Sequence, residues 1–269
     1  MQVSQPPQIS KSKILQLAVT LLACAFLLVP ALQSILAGLT VNYFKGLSSG
    51  LTLKWIWQVW ELYADSIFLS LGLALACLIC TLIIGVPAAY GLARNPGRTG
   101  RILEEFISLP LAVPGLALAL ALLQLYGSIK GFRTSWTFIL VGHVLYTLPF
   151  MVRSVLAVMI AIDLKTLEEG AASLGAPPWR RFRDIVVPNA MPGILAGALA
   201  VVTLSIGEFN LTWMLHTPYL KTLPVGLADS YASMRLEVAS AYTLVFFVLI
   251  VPLLVAMQWA SNRAQRIAS

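Results

Sequence analysis

The chain has 269 residues, of which 59% are hydrophobic and only 11% are charged, and its mean hydropathy is +0.85. Soluble domains carry about 25% charged residues, so this composition excludes an ordinary soluble domain and predicts an integral membrane protein. The formal net charge of +7 does not indicate nucleic-acid binding, because basic loops facing anionic membrane lipid on the cytoplasmic side explain the excess.

Six apolar stretches are close to the ~20 residues that a membrane-spanning helix needs. They cover residues 14–32, 67–89, 106–126, 136–158, 192–215 and 239–260. The sequence therefore predicts an all-α integral membrane fold with six transmembrane helices. We divide it into an N-terminal tail (1–13), a first transmembrane helix with an outer interfacial segment (14–64), a transmembrane domain (65–260) and a C-terminal tail (261–269).

The distribution of Lys and Arg predicts the orientation of these helices. With the N-terminus inside, twelve basic residues fall in cytoplasmic segments: Lys11, Lys13, Arg94, Arg98, Arg101, Arg153, Lys165, Arg180, Arg181, Arg183, Arg263 and Arg266. Six fall in outer segments: Lys45, Lys54, Lys130, Arg133, Lys221 and Arg235. Because cytoplasmic loops are the more basic ones, both termini are expected inside, and both tails are expected to be cytoplasmic.

The segment between the first two apolar stretches, residues 40–65, is moderately polar and rich in aromatic residues. Its Trp55, Trp57, Trp60 and Tyr63 have rings that prefer the headgroup region of a bilayer. We therefore expect an interfacial helix or loop on the outer surface. Stacking of these rings on a ligand is the alternative, but no convergent polar residues support it.

The second and third apolar stretches contain few groups suited to chemistry. Cys77 and Cys80 have C-x-x-C spacing but lie inside an apolar run, so ordinary buried side chains are expected rather than a metal site. No metal or cofactor is expected in this chain. Residues 94–105 predict a short cytoplasmic turn. Prolines interrupt several apolar runs and predict kinks or freed carbonyls: Pro110, Pro114, Pro149 and Pro252.

Residues 166–188 form a polar loop between long apolar runs. Thr166 and Glu169 have the spacing of a capping box, which predicts a helix that begins at about Leu167. Gly175 is suited to the left-handed conformation that ends a helix, and the prolines at 177 and 178 prevent its continuation. So short a helix is unstable alone in water, so we expect it to pack on a partner through small residues: Gly170, Ala171 and Ala172.

The same loop resembles the cytoplasmic EAA loop of binding-protein-dependent ABC importer permeases. That loop has a glycine six residues after the glutamate and a proline thirteen residues further on, and the matching residues here are Glu169, Gly170, Ala171, Gly175, Ile185 and Pro188. Gly170 stands where alanine is usual, which weakens the helix by up to ~1 kcal/mol. The resemblance extends from about residue 65 to the C-terminus and is to the MetI-like permeases. Within it, residues 207–227, GEFNLTWMLHTPYLKTLPVGL, resemble the permeases of the group that handles polyamines, ferric iron, phosphonates, sulfate and related oxyanions.

This resemblance implies a multi-pass permease subunit of a bacterial inner membrane. Two permease subunits, identical or different, would enclose a path, separate ATP-binding subunits would grip the coupling loop at residues 163–190, and an extracytoplasmic solute-binding protein would deliver substrate. The expected ATPase-coupling residues are Thr166, Glu168, Glu169, Gly170, Ala171, Ala172, Gly175, Ile185 and Pro188. The chain has no G-x-x-x-x-G-K-[ST] or H-E-x-x-H sequence, so no catalytic residue is expected and ATP hydrolysis falls to a separate subunit.

Glu208, in the fifth apolar stretch, is the strongest candidate for a residue of the substrate path. A carboxylate in a lipid-facing helix costs ~2.5–3.5 kcal/mol, so it is expected to face protein or a watery cavity. Pairing with Arg235, with His143 or with a partner subunit is the alternative. Weaker candidates, for which ordinary helix packing is the alternative, are Asn210, Ser205, Thr203 and His143.

We therefore expect an ABC importer permease for a small charged solute, namely a polyamine, ferric iron, a phosphonate or another oxyanion. An ATP-independent secondary transporter or channel subunit is the alternative. Such carriers often have inverted repeats and several charged intramembrane residues, and the sequence has neither. A membrane scaffold would explain the docking loop but not Glu208.

Overall fold

The computed structural model describes residues 11–268, with side chains left undescribed at 11, 12, 14, 260, 261 and 264–268. Most of the expected N-terminal tail and the side chain of Arg266 therefore lie outside the described part. The helices are α1 (Lys11–Ala37), α2 (Lys54–Arg94), α3 (Arg98–Ala112), α4 (Gly115–Tyr126), α5 (Lys130–Arg133), α6 (Trp136–Ala161), α7 (Leu164–Ser173), α8 (Pro178–Arg181), α9 (Val187–Gly207), α10 (Asn210–Leu215), α11 (Leu223–Ala232) and α12 (Leu236–Ala268).

Five helical segments of the described chain are long and apolar enough to cross a membrane, and α3 with α4 makes a sixth if the bent pair counts as one span. The prediction of an all-α membrane protein is confirmed. The kink that Pro114 predicts in the third apolar stretch is confirmed, because α3 and α4 meet at 103°. Pro114 lacks an N–H and holds Val113 extended, with φ −99° and ψ 127°, so the helix cannot continue.

One connection is shorter than the sequence predicts. The turn expected at 94–105 shrinks to three residues, since α2 ends at Arg94 and α3 begins at Arg98. The aromatic segment is helical, one of the two forms expected for it, and a kink separates it from the rest of α2. Its tryptophans lie on the first turns of the 41-residue helix α2, which bends at Tyr63 (φ −136°, ψ 17°). A 3₁₀ turn at Gly46–Ser49 precedes it. The inside–outside orientation stays a prediction.

The core of the molecule is the packing of α2, α6 and α9, with Met151, Val155 and Ala190 fully buried between them. Small residues allow this close approach. An ideal Cβ on Gly193 of α9 would lie 2.6 Å from the Ser154 carbonyl oxygen and 3.0 Å from the Val155 Cα, both backbone atoms of α6. Helix α1 is peripheral: none of its apolar window is buried, and Gly38, just beyond its end, abuts the backbone of α12 at Ala241.

Gly193→Ala is expected to lower the thermal midpoint of the detergent-solubilised protein. The added methyl meets backbone that cannot rotate away, and overpacking of this kind costs about 1–3 kcal/mol. Gly72→Ala on α2 is the matched control, because a Cβ there meets nothing within 4 Å and alanine favours helix. Equal midpoints for the two variants, measured by fluorescence-detected thermal unfolding, would contradict this packing.

Candidate functional site

The loop that resembles the EAA motif folds as α7, α8 and a π turn at Phe182–Val186 that leads into α9. The predicted capping box is wrong. Helix α7 begins at Leu164, because the left-handed Asp163 (φ 46°, ψ 56°) turns the chain there. Thr166 Oγ1 instead donates to Asp163 Oδ2 at 2.6 Å, and the Glu169 carboxylate lies 3.8 Å from Lys165 Nζ.

The end of α7 is as predicted. Gly175 is left-handed, with φ 80°, and the amide of Ala176 donates to the Ala171 carbonyl at 3.1 Å while that of Gly175 donates to Ala172 at 2.9 Å. This pair of bonds is a Schellman motif, which only a residue tolerant of positive φ completes without strain. Pro178 then opens α8 as its first residue.

Glu168 attaches α7 to the end of α2. It is 5% exposed, the Tyr90 hydroxyl donates to its Oε1, and Arg94 Nε lies 3.7 Å from its Oε2. Arg94 also donates to the Tyr90 oxygen at 3.1 Å. Charge-assisted bonds of this kind are among the stronger ones in proteins. Leu164 and Glu168 are the buried residues described in α7. We call Glu168, Tyr90 and Arg94 the clamp, because their contacts hold α7 against α2.

The opposite side of the loop is exposed and partly apolar. Leu174 is 91% and Trp179 68% exposed, and the Glu169 side chain is 69% exposed. We call Leu167, Glu169, Leu174 and Trp179 the exposed loop face. Exposed apolar groups rimmed by charge are typical of protein contacts. The Trp179 ring lies 6.0 Å from Phe182, which in turn lies 5.2 Å from Tyr90 on α2, so the face is linked to the transmembrane helices.

The remaining residues expected to couple to an ATPase are spread along the same loop. Thr166, Gly170 and Ala172 are exposed on α7, Ala171 is half-buried, Ile185 is half-buried in the π turn and Pro188 is exposed at the start of α9. Sequence reasoning missed Tyr90 as a partner and assigned Arg94 only to membrane orientation. No local signal reveals the pair, because Tyr90 and Glu168 are 78 residues apart.

The fifth apolar stretch is broken at Glu208, so one continuous helix over 192–215 is wrong. Helix α9 ends at Gly207, Glu208 is extended (φ −70°, ψ 117°), and α10 begins at Asn210. Glu208 is 9% exposed, and its Oε1 accepts from the Leu211 amide at 2.7 Å. It therefore supplies an acceptor to an N–H that the break leaves without a helical partner.

Neither basic partner suggested by the sequence pairs with Glu208. Arg235 donates to the Tyr63 hydroxyl at 2.7 Å, and His143 bonds two hydroxyls instead. Among the residues that the structure describes, no Lys, Arg or His nitrogen forms an ion pair with this carboxylate. Structural pairing within the described chain is thus ruled out for these two residues in this conformation.

Two helix breaks meet beside Glu208. A Cβ on Gly115, the first residue of α4, would lie 3.5 Å from Glu208 Oε1 and 3.6 Å from the Leu211 amide. The bend at Val113–Pro114 therefore abuts the break at Glu208–Phe209, and we call residues 113–115 and 207–210 the paired breaks. Non-helical backbone at membrane depth is tolerated where it is buried in protein or lines a watery cavity.

The other path candidates divide into two groups. Asn210 is exposed within the paired breaks, close to Gly115. Ser205 and His143 are buried against each other at 2.8 Å, while Thr203 points to an exposed side of α9 and bonds the Leu199 carbonyl at 2.7 Å. Cys77 is buried beside the Thr147 hydroxyl, and the described residues contain no cluster suited to a metal ion.

Comparison with known proteins identifies a family and a fold for this chain. Residues 81–266 match the family described as binding-protein-dependent transport system inner membrane component. The fold resembles one chain of the inward-facing MetNI methionine ABC transporter, with a TM-score of 0.63 at 18% identity, covering 79% of this chain and 98% of that one. That likeness supports the fold alone.

Curated relatives align with this chain over most of their length. A putative 2-aminoethylphosphonate transport system permease protein, PhnV, of Salmonella typhimurium is 26% identical over 229 residues, 84% of this chain and 82% of the relative. The molybdenum permease ModB of Azotobacter vinelandii is 31% identical, covering 74% of this chain and 93% of the relative. The sulfate permease CysW of Synechocystis is 27% identical over 75% and 78%.

Proposed function

Because this chain belongs to the family of binding-protein-dependent transport system inner membrane components, we propose that it forms half of a path that imports a small oxyanion. Membership makes it a multi-pass inner membrane permease subunit of an ABC importer. It is a transport subunit and not an enzyme, with ATP hydrolysis in a separate subunit. The alternative function, an ATP-independent carrier, is therefore not required to explain this sequence.

The substrate class is supported by the names of the relatives. They are permeases for 2-aminoethylphosphonate, molybdenum and sulfate, and phosphonate, molybdate and sulfate are all small oxyanions. Polyamines and ferric iron, which the sequence also suggested, find no counterpart among these three. Glu208 accepts from the Leu211 amide through one oxygen, which gives it a structural role that does not depend on the charge of the solute.

The observation that carries the coupling part of the proposal is the two-sided geometry of α7. Its buried side is held to α2 through Glu168, and its exposed loop face is free to receive another protein. An ATP-binding subunit gripping that face would move α7, and the clamp would pass the movement to α2. A second permease subunit, identical or different, would enclose the other half of the path, and an extracytoplasmic binding protein would deliver the solute.

The test is ATP hydrolysis by the complete complex in liposomes. This chain is co-expressed with candidate ATP-binding, permease and solute-binding subunits, and 2-aminoethylphosphonate, molybdate, sulfate, spermidine and ferric iron are added singly. Stimulation by one oxyanion with its binding protein is the expected result. Stimulation by spermidine or iron alone would overturn the substrate class, and failure to recruit any ATP-binding subunit would overturn the importer assignment.

The double variant Glu169→Ala/Gly175→Ala is expected to uncouple hydrolysis from uptake. Alanine at the left-handed position costs about 1–2 kcal/mol and loosens the end of α7, while loss of Glu169 removes the charge of the exposed loop face. Solute uptake should fall by about tenfold while basal ATP hydrolysis continues. Gly170→Ala is the control, because a Cβ there meets nothing within 4 Å; unchanged uptake in the double variant would refute the docking role.

A further inference from the structure

A buried histidine bridges the two halves of the broken fifth span. The His143 ring on α6 places Nδ1 2.8 Å from Ser205 Oγ, near the end of α9. The same ring places Nε2 2.8 Å from Thr212 Oγ1 on α10. All three side chains are buried. One imidazole therefore touches the chain on both sides of Glu208.

Both ring nitrogens are used by these contacts. A neutral imidazole has one donor and one acceptor, and a hydroxyl serves as either, so both bonds form in either tautomer. No ring nitrogen is left over for a solute. His143 and Ser205 therefore do not line the path in this conformation, although the sequence made both candidates for it.

Packing next to His143 fixes α10 on the same helix. A Cβ on Gly142 would lie 2.7 Å from Leu211 Cδ2 and 2.8 Å from Leu215 Cδ1, so the two leucines of α10 fill the notch that this glycine leaves. The Thr147 hydroxyl, one turn further along α6, donates to the carbonyl of His143 itself at 2.7 Å. That bond stays within α6 and touches neither the ring nor α10, so the leucine contacts are what seat α10 beside the ring.

A helix break needs such a support. At Glu208 and Phe209 the regular backbone hydrogen bonds of the helix are interrupted. The Glu208 carboxylate accepts from the Leu211 amide of α10, and this bond does not fix α9. Two helix segments joined by a short non-helical link change their mutual angle easily unless both are fixed to a third element. His143 and its two hydroxyl partners provide that attachment.

We propose that His143 is a positioning residue that sets the angle between α9 and α10 and thereby places the paired breaks in the substrate path. The bridge itself is a property of this chain. Its effect on transport rests on the proposed function, so the experiment has one readout that depends on transport and one that does not.

Ser205→Ala and Thr212→Val each cut one side of the bridge, and Thr147→Val is the control that removes a neighbouring buried hydroxyl without touching the break. The first readout is hydrogen exchange of residues 208–216 in the purified complex. Exchange is expected to rise roughly three- to tenfold in Ser205→Ala and Thr212→Val, the effect of losing one hydrogen bond, and to stay unchanged in Thr147→Val. Unchanged exchange in both cut variants overturns the bridge whether or not the complex transports.

The second readout is solute imported per ATP hydrolysed. If both bonds act as one support, either single variant lowers the ratio and Ser205→Ala/Thr212→Val lowers it no further. Independent packing contributions would instead multiply in the double variant, and that result overturns the positioning role, as does a normal ratio.

His143→Asn and His143→Gln, whose amides reach about the Nδ1 and Nε2 positions, should reproduce the two single cuts. A wild-type complex that hydrolyses ATP without any solute effect refutes the proposed function and leaves the exchange result standing.

Discussion

Replacing Glu168 by alanine is expected to lower solute uptake by about tenfold or more while the ATP-binding subunits continue to hydrolyse ATP. The carboxylate is 5% exposed, and it accepts from Tyr90 and faces Arg94. Removing one partner of such a buried bond costs roughly 1–3 kcal/mol. Because Leu164 is the only other buried residue described in α7, the helix loses one of its two buried contacts, and we expect it to move less closely with α2.

The neighbouring glutamate gives the matched control. Glu169 is exposed and contacts Lys165 at 3.8 Å, an exposed pair worth little. Glu169→Ala should therefore leave hydrogen exchange of α7 in the isolated chain unchanged and weaken only the binding of the ATP-binding subunit. Glu168→Ala should show the opposite pattern, with faster exchange of residues 164–173. Equal exchange in the two variants would contradict the clamp.

Two conservative variants separate the parts of the clamp. Glu168→Gln keeps an oxygen that accepts from Tyr90 and loses the ion pair with Arg94, whose side chain is half-exposed. Since the pair is long at 3.7 Å and its Arg94 partner lies half in water, where charges are screened, this variant should retain most of the uptake. Tyr90→Phe removes the donor and should approach the Glu168→Ala defect. A Glu168→Gln variant as inactive as Glu168→Ala would show that the charge, and not the Tyr90 bond, holds α7.

Replacing Glu208 by alanine is the second change with a large expected effect. It leaves the buried Leu211 amide without its acceptor at 2.7 Å, at a cost of roughly 1–3 kcal/mol, and loosens the paired breaks where α4 meets Glu208. Uptake by the reconstituted complex should fall by about tenfold. Asn210→Ala, at an exposed position in the same break, leaves the Leu211 amide capped by Glu208 and should keep the wild-type thermal midpoint, whereas Glu208→Ala should lower it.

Glu208→Gln distinguishes a cap from a charge that acts on the solute. Its amide oxygen accepts from Leu211 as the carboxylate does, so uptake of an oxyanion should stay within about threefold of wild type if the cap is what matters. Loss of uptake in Glu208→Gln, with a normal thermal midpoint, would show that the negative charge itself takes part in transport. The measurement is the initial rate of uptake at saturating solute for both variants.

The broken helices show where local sequence signals end. Pro114 is visible in the sequence, and the bend at Val113 follows from it directly. The break at Glu208 has no proline beside it, so a continuous helix was the reasonable expectation there. Glu208 caps α10 locally, but His143, which bonds both halves, and Gly142, which receives Leu211, come from a distant part of the chain.

The sequence by itself determined the membrane location, the family and the end of α7. Each depends on composition or short spacing: apolar runs long enough to span a bilayer, the Glu169–Gly175–Pro188 spacing and a glycine suited to positive φ. Only the tertiary structure decided which of two adjacent glutamates is buried, where α7 begins and what His143 bonds. Burial and hydrogen bonding of those residues depend on groups such as Tyr90, 78 residues away, because folding brings together side chains that no local pattern connects.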